Sequence, residues 1–154
     1  MKTLKNFKIE HKNVLFRADL NVPLVNNIIT DDSRILAIKS SIEKLIFNNN
    51  KVFIVTHFGR PQGKVVEKYS LKFILSSLTK ILKLEKINFL EDINNLSIEK
   101  KINEMKSGEV CLLENIRFYK EEENVNLTFA KNLTSLFDVY VNDAFSASHR
   151  NHTS

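Results

Sequence analysis

Short apolar runs alternate along this chain with longer segments whose apolar residues recur at helical spacing, and that alternation restricts the fold more than any other feature. Val14 to Leu20 (VLFRADL) starts β-branched and apolar and then turns polar, which reads as a buried strand ending near Asp19. Asp31, Asp32 and Ser33 supply helix-capping side chains. Ile35, Ile38, Ile42, Leu45 and Ile46 then follow one helical face to about Phe47, and Asn48, Asn49 and Asn50 end the helix. Val52 to Thr56 (VFIVT) is a continuous apolar strand of the kind buried on both faces. Ser70 caps a second helix with Leu71, Ile74, Leu75, Leu78 and Leu82 on one face. Ile87 to Leu90 is a short strand, and Ile98, Ile102 and Met105 mark a third helix that Gly108 breaks. Val110 to Leu113, a helix through Phe129, Leu133 and Leu136, and a strand over Val139 to Val141 complete the order. Strand and helix in repeated succession predict an α/β fold with a mainly parallel sheet and helices on its faces.

In open parallel sheets ligands bind beyond the carboxyl ends of the strands. Asp19, Asn21 and Pro23 follow the first strand. His57, Gly59 and Arg60 follow the second, and Glu114, Asn115 and Arg117 the fourth. Asn142, Asp143, His149 and Arg150 follow the fifth. Three of these ends deliver an arginine, whose planar fork suits phosphate and carboxylate. Arg34 adds a fourth, in the first turn of the first helix, where the macrodipole disfavours a cation. Two resolutions are open: a bound anion pairs with Arg34 and the helix N–H groups, or Asp31 and Asp32 neutralise it locally.

The formal net charge of +5 raises a nucleic-acid reading, but the 23 basic residues are mostly lysines spread along the whole chain, with no aromatic-rich basic stripe. No nucleic-acid partner is expected. The single cysteine, Cys111, sits in an apolar run and reads as a buried thiol, which fits a reducing compartment. No apolar run approaches the ~20 residues of a membrane span, and the first ten residues lack the apolar centre of a signal peptide. The chain is therefore expected in the cytoplasm, away from membranes. Asp19 and Asn21 alone make a poor oxygen cage for Mg²⁺ or Ca²⁺. His57 and His149 have no partner at metal-ligand spacing, so no metal site is expected. Gly59-Arg60-Pro61-Gln62-Gly63-Lys64 approximates a P-loop but has three residues between its glycines, and Val65 follows in place of Ser or Thr.

Taken together, FRADLNVPL, ITDDSRI, VTHFGRPQGK, LLENIRFYKEEE and DVYVNDAFSASHRNHTS resemble the phosphoglycerate kinases, in that family's order and spacing, over Val14 to Ser154. The resemblance implies a glycolytic phosphotransferase with a carboxyl group as acceptor, which moves the acyl phosphate of 1,3-bisphosphoglycerate reversibly to ADP to give 3-phosphoglycerate and ATP. It implies Rossmann-like three-layer domains, an N-terminal one for phosphoglycerate and a C-terminal one for Mg²⁺ with ADP or ATP. Residues 1–154 would be the first of these, incomplete at its C-terminal end, with the nucleotide domain absent. By motif, Asp19, Leu20 and Asn21 would meet the glycerate end of the substrate. Arg34 would be the catalytic residue, holding the carboxyl or acyl-phosphate end. His57, Phe58, Gly59, Arg60, Arg117 and Arg150 would meet the non-transferred phosphate, with His149 lining the same patch. A monomer is expected. On this reading the 154 residues alone lack kinase activity. The alternative is an inactive fragment or a non-catalytic module that binds phosphorylated metabolites.

Overall fold

Alternation along each strand divides the apolar residues between two faces of one sheet. A computed structural model describes residues 3–124 and 126–144. Strand β1 (Asn13–Arg17) is followed by the short β2 (Leu24–Val25) and β3 (Ile28–Ile29), helix α1 (Ser33–Phe47) and β4 (Lys51–Val55). A 3₁₀ turn (Leu71–Ile74) leads into α2 (Leu75–Ile81). Then come β5 (Asn88–Leu90), α3 (Asn95–Glu104), β6 (Val110–Leu113), α4 (Lys120–Glu123), α5 (Leu127–Thr134) and β7 (Val139–Asn142). The main sheet has the order β5-β6-β4-β1-β7, and every pair in it is parallel.

Val14, Phe16, Val52, Ile54, Val110 and Leu112 point to one side, where they pack with Ile35, Ile38, Ile42 and Leu45 of α1 and with Leu71, Ile74 and Leu78. Leu15, Phe53, Val55, Cys111 and Leu113 point to the other, against Ile98 and Ile102 of α3 and Leu133 of α5. The period of two in the strands and the helical period in the segments between them thus produce three layers. β4 and β6, fully covered on both faces, have no polar residue between Val52 and Val55 or between Val110 and Leu113.

The structure departs from the sequence reading in several places, and α4 was not expected at all. β1 ends at Arg17 rather than near Asp19, although Ala18 still donates to the Val55 carbonyl at 3.0 Å. Residues 24–29 form a small antiparallel hairpin that the sequence reading did not contain. Its turn is Asn26-Asn27, both at positive φ (50° and 60°), the backbone that a two-residue hairpin turn requires and that Asn tolerates. Finally, the helix expected from Ser70 begins as a 3₁₀ turn, with the Ser70 Oγ accepting from the Lys72 N–H, and becomes α-helical only at Leu75.

Candidate functional site at the strand ends

β6, β4, β1 and β7 are neighbours in the sheet and parallel, so their carboxyl ends lie side by side. The loop after β4 occupies the middle. Gly59 at its centre has φ +62° and contacts both flanks: its N–H donates to Asn21 Oδ1 at 3.1 Å, and its carbonyl accepts from Arg117 Nη1 at 3.1 Å. The ends of β1, β4 and β6 are joined through one residue. A second tie lies below it, where the Leu20 N–H donates to Thr56 Oγ1 at 3.1 Å. Leu20 itself is a core residue, with its carbonyl taken by the Val22 N–H, so it supports the loop from beneath.

Asp19, beside Asn21, forms an ion pair with Arg34. Of the two resolutions open from sequence, neither gives the whole answer: the arginine in the first turn of α1 is balanced by a carboxylate from the end of β1. Asp31 instead accepts from the Ser33 N–H at 2.8 Å. Hydrogen bonds from Ser33 hold its carboxyl below the usual range, with Arg34 adding to the effect. Arg34 remains half-exposed, so its guanidinium is available to a ligand from solvent.

Beyond β6, Glu114 and Asn115 are buried and fix the surrounding backbone. The Glu114 carboxylate accepts from the Leu71 N–H at 2.8 Å, the Ser70 hydroxyl at 2.7 Å and the Asn115 N–H at 2.8 Å. Asn115 Nδ2 donates to the carbonyls of Phe58 and Tyr69, while its Oδ1 accepts from the N–H groups of Phe58 and Arg117. Arg117 sits in a 3₁₀ turn (Ile116–Phe118) and is buried, and its carbonyl accepts from Gly63 N–H. Phe58 packs its ring on Tyr69 and Phe73. Arg60 lies exposed in the same loop.

Beneath the loop lies a charged layer that the sequence reading left out. Arg17, last in β1, is only 2% exposed. Its Nη2 lies 3.3 Å from His57 Nδ1 and 3.6 Å from Oε1 of the fully buried Glu122. Among the described residues its Nε and Nη1 find no hydrogen-bond partner. Burial pulls this guanidinium below the ordinary arginine value, opposed by Glu122, Tyr140 and Asp19. The signal was an arginine inside an otherwise apolar strand, since a cation buried on both faces needs a built partner. The site residues expected at His149 and Arg150 lie outside the described residues. Asp143, at the end of β7, donates its N–H to the Arg17 carbonyl at 2.8 Å, and burial raises its carboxyl pKa against a hydrogen bond with Ser41.

The arrangement gathers the half-exposed Arg34, the exposed Arg60 and the buried Arg117, with the half-buried Asp19 and the carboxamide of Asn21, around a glycine loop. Such a surface can hold a small anion bearing hydroxyl groups. Among the described residues no group of three or more His, Cys, Asp or Glu is placed to hold a metal ion, and no helix is long and apolar enough to cross a membrane.

The phosphoglycerate kinase family model matches residues 4–154. A phosphoglycerate kinase of Prochlorococcus marinus is 48% identical over 155 residues, covering 100% of this chain and 38% of that protein. One from Wolbachia pipientis of Culex pipiens is 43% identical over 152 residues, covering 99% of this chain and 38% of that protein. The solved phosphoglycerate kinases of Coxiella burnetii and Pyrococcus horikoshii superpose with TM-scores of 0.85 and 0.86, each at 35% identity. They cover 98% and 99% of this chain and 37% and 39% of the solved chains. The chain therefore spans about two fifths of the length of the relatives it matches.

Proposed function

The chain belongs to the phosphoglycerate kinase family, matching the N-terminal portion of its members, and from that membership we propose that it carries the phosphoglycerate half of a kinase site. The reaction is reversible transfer of the acyl phosphate of 1,3-bisphosphoglycerate to ADP, giving 3-phosphoglycerate and ATP in glycolysis. The observation that supports this reading is Gly59, whose two backbone groups bond Asn21 and Arg117 and so join three strand ends at one edge.

In this reading Asp19 and Asn21 orient the hydroxyl group of the glycerate end. Arg34 holds the acyl-phosphate end and neutralises charge on the moving group. His57, Arg60 and Arg117 grip the phosphate that stays, together with Arg150 and His149. Leu20 and Phe58 anchor the loops to the core, and Gly59 lets the backbone come close. Phosphoryl transfer asks for positioning and charge neutralisation more than for proton transfer, and the attacking oxygen is already anionic. No general base from this chain is therefore needed. We assign Mg²⁺ with ADP or ATP to the C-terminal portion of family members, which this chain does not match. We place the protein in the cytoplasm, as a monomer.

A second reading, resting on the same arginines at the strand ends, is a module that binds phosphorylated metabolites without turnover. Calorimetric titration of the 154-residue chain with 3-phosphoglycerate tests the shared site. Saturable one-to-one binding, lost in Arg34→Ala and Arg117→Ala, supports it, and no binding counts against a self-sufficient half-site. Neither reading expects ATP from these 154 residues alone, so turnover in a coupled assay contradicts both.

A further inference from the structure

We propose that Arg17 is a positioning residue that fixes His57 in the neutral tautomer protonated at Nε2. The argument is one of donors and acceptors. A guanidinium has five N–H donors and no acceptor, and it stays protonated in proteins. Arg17 Nη2 lies 3.3 Å from His57 Nδ1, so that nitrogen must present its lone pair. The ring proton then resides on Nε2.

The geometry holds this assignment firmly. Arg17 is 2% exposed and His57 is 7% exposed, at the ends of adjacent strands, so neither can turn away into water. Oε1 of Glu122 lies 3.6 Å from the same Nη2 and gives the guanidinium a second anchor. Asp19, from the loop after β1, and Tyr140, from β7, are within electrostatic reach of the guanidinium. Arg60 lies in the same loop as His57, and Arg117 in the turn after β6. Protonating Nδ1 would set an N–H against an N–H and break the contact, whatever the balance of those more distant charges.

The consequence rests on the proposed anion site. An imidazole at such a site would ordinarily be taken as a cation. Here His57 serves as a neutral donor through Nε2–H, and the positive charge comes from the guanidinium groups. Arg17 therefore acts through His57 and does not touch the anion.

The first test needs no ligand and no altered arginine. Nitrogen NMR of the chain labelled at Arg and His, at pH 7, should show the His57 proton on Nε2 and a coupling across the hydrogen bond between Arg17 Nη2 and His57 Nδ1. His57→Gln identifies the signal. A proton on Nδ1, or an imidazolium, overturns the proposal. The second test is a cycle with 3-phosphoglycerate. Arg17→Met and His57→Gln should each weaken binding by about tenfold, and the double variant by no more than either, because coupled residues are not additive. Multiplied losses, about a hundredfold together, would show that Arg17 meets the anion directly and would overturn the proposal. If 3-phosphoglycerate fails to bind the unaltered chain, or if Arg17→Met fails to fold, the NMR result still decides the tautomer.

Discussion

Asn115 holds the main chain of Phe58 at both of its polar groups: its Oδ1 accepts the Phe58 N–H at 3.3 Å, and its Nδ2 donates to the Phe58 carbonyl at 2.7 Å. The same side chain bonds the Tyr69 carbonyl and the Arg117 N–H. One fully buried carboxamide thus sets the spacing between the loop that carries His57 and Arg60 and the turn that carries Arg117. Asn115→Asp keeps the shape and removes both donors, leaving carboxylate oxygen against two carbonyls. The expected cost is about 2–4 kcal/mol, from two lost hydrogen bonds and a buried charge. Urea unfolding followed by circular dichroism reads it. A midpoint equal to that of the unaltered chain would mean the clamp contributes nothing.

Gly59 is irreplaceable for a second reason besides its backbone bonds. At φ +62° a side chain is already strained, and a Cβ there would meet the Tyr69 ring carbons at 2.4 Å. Gly108 has the same sign of φ, at +85°, but its nearest neighbour would be the Ile46 carbonyl at 3.7 Å. Gly108→Ala should therefore cost only the left-handed strain of about 1–2 kcal/mol. Gly59→Ala should cost more, because the ring must also move. It should weaken 3-phosphoglycerate binding as well, since Asn21 and Arg117 both hang on that residue. Thermal melts and calorimetry of the two variants give the comparison, and equal melting points would contradict it.

Cys111 supplies a pH dependence. Burial pushes its thiol from an ordinary 9.0 up to about 12. The folded chain then keeps a proton that the unfolded chain releases, so the contribution to stability is complete below pH 9 and is lost as the pH rises toward 12. Burial raises Tyr119 and Tyr140 in the same direction, which steepens the loss. Urea midpoints should fall between pH 9 and pH 10.5, and the Cys111→Ala chain should fall less steeply. Under native conditions at pH 8 the thiol should resist iodoacetamide and become reactive only in denaturant. Rapid labelling of the folded chain would refute the burial argument.

Much of this architecture was legible because its signals are local. A strand covered on both faces must be apolar throughout, and VFIV and VCLL say so directly. Helix α1 declares itself by the spacing of Ile35, Ile38, Ile42 and Leu45, all buried as expected. The small hairpin escaped because its strands are two residues long and its turn is Asn-Asn without glycine. The strand-end rule set Asp19, Asn21, His57, Gly59, Arg60 and Arg117 at one edge of the sheet, and parallel order brings their loops there. It could not give pairings across the sheet. Arg34 meets Asp19 rather than its neighbours Asp31 and Asp32 because the end of β1 lies beside the first turn of α1. Arg17 and Glu122 are far apart in sequence and meet only in the folded chain, so their ion pair left no mark on either local pattern.

Arg60 and Arg117 separate binding from stability. Arg60 is exposed, and its truncation removes charge without opening the core. Arg117 is buried, and it ties Gly59 through its guanidinium and Gly63 through its carbonyl. Arg60→Ala should therefore weaken 3-phosphoglycerate binding by about 1.5–3 kcal/mol per lost charged contact while leaving the urea midpoint in place. Arg117→Ala should weaken binding by at least as much and also lower the midpoint, because the Gly59 carbonyl loses its donor in a partly buried setting. Replacing exposed lysines such as Lys64 and Lys83 by glutamate should change binding by a few tenths of a kcal/mol at most, as exposed charges are screened. Calorimetry on the four variants at one ionic strength reads all of this together. Equal losses from the lysine and arginine changes would mean that the anion responds to overall charge rather than to a shaped site, and the assignment of Arg60 and Arg117 would fall.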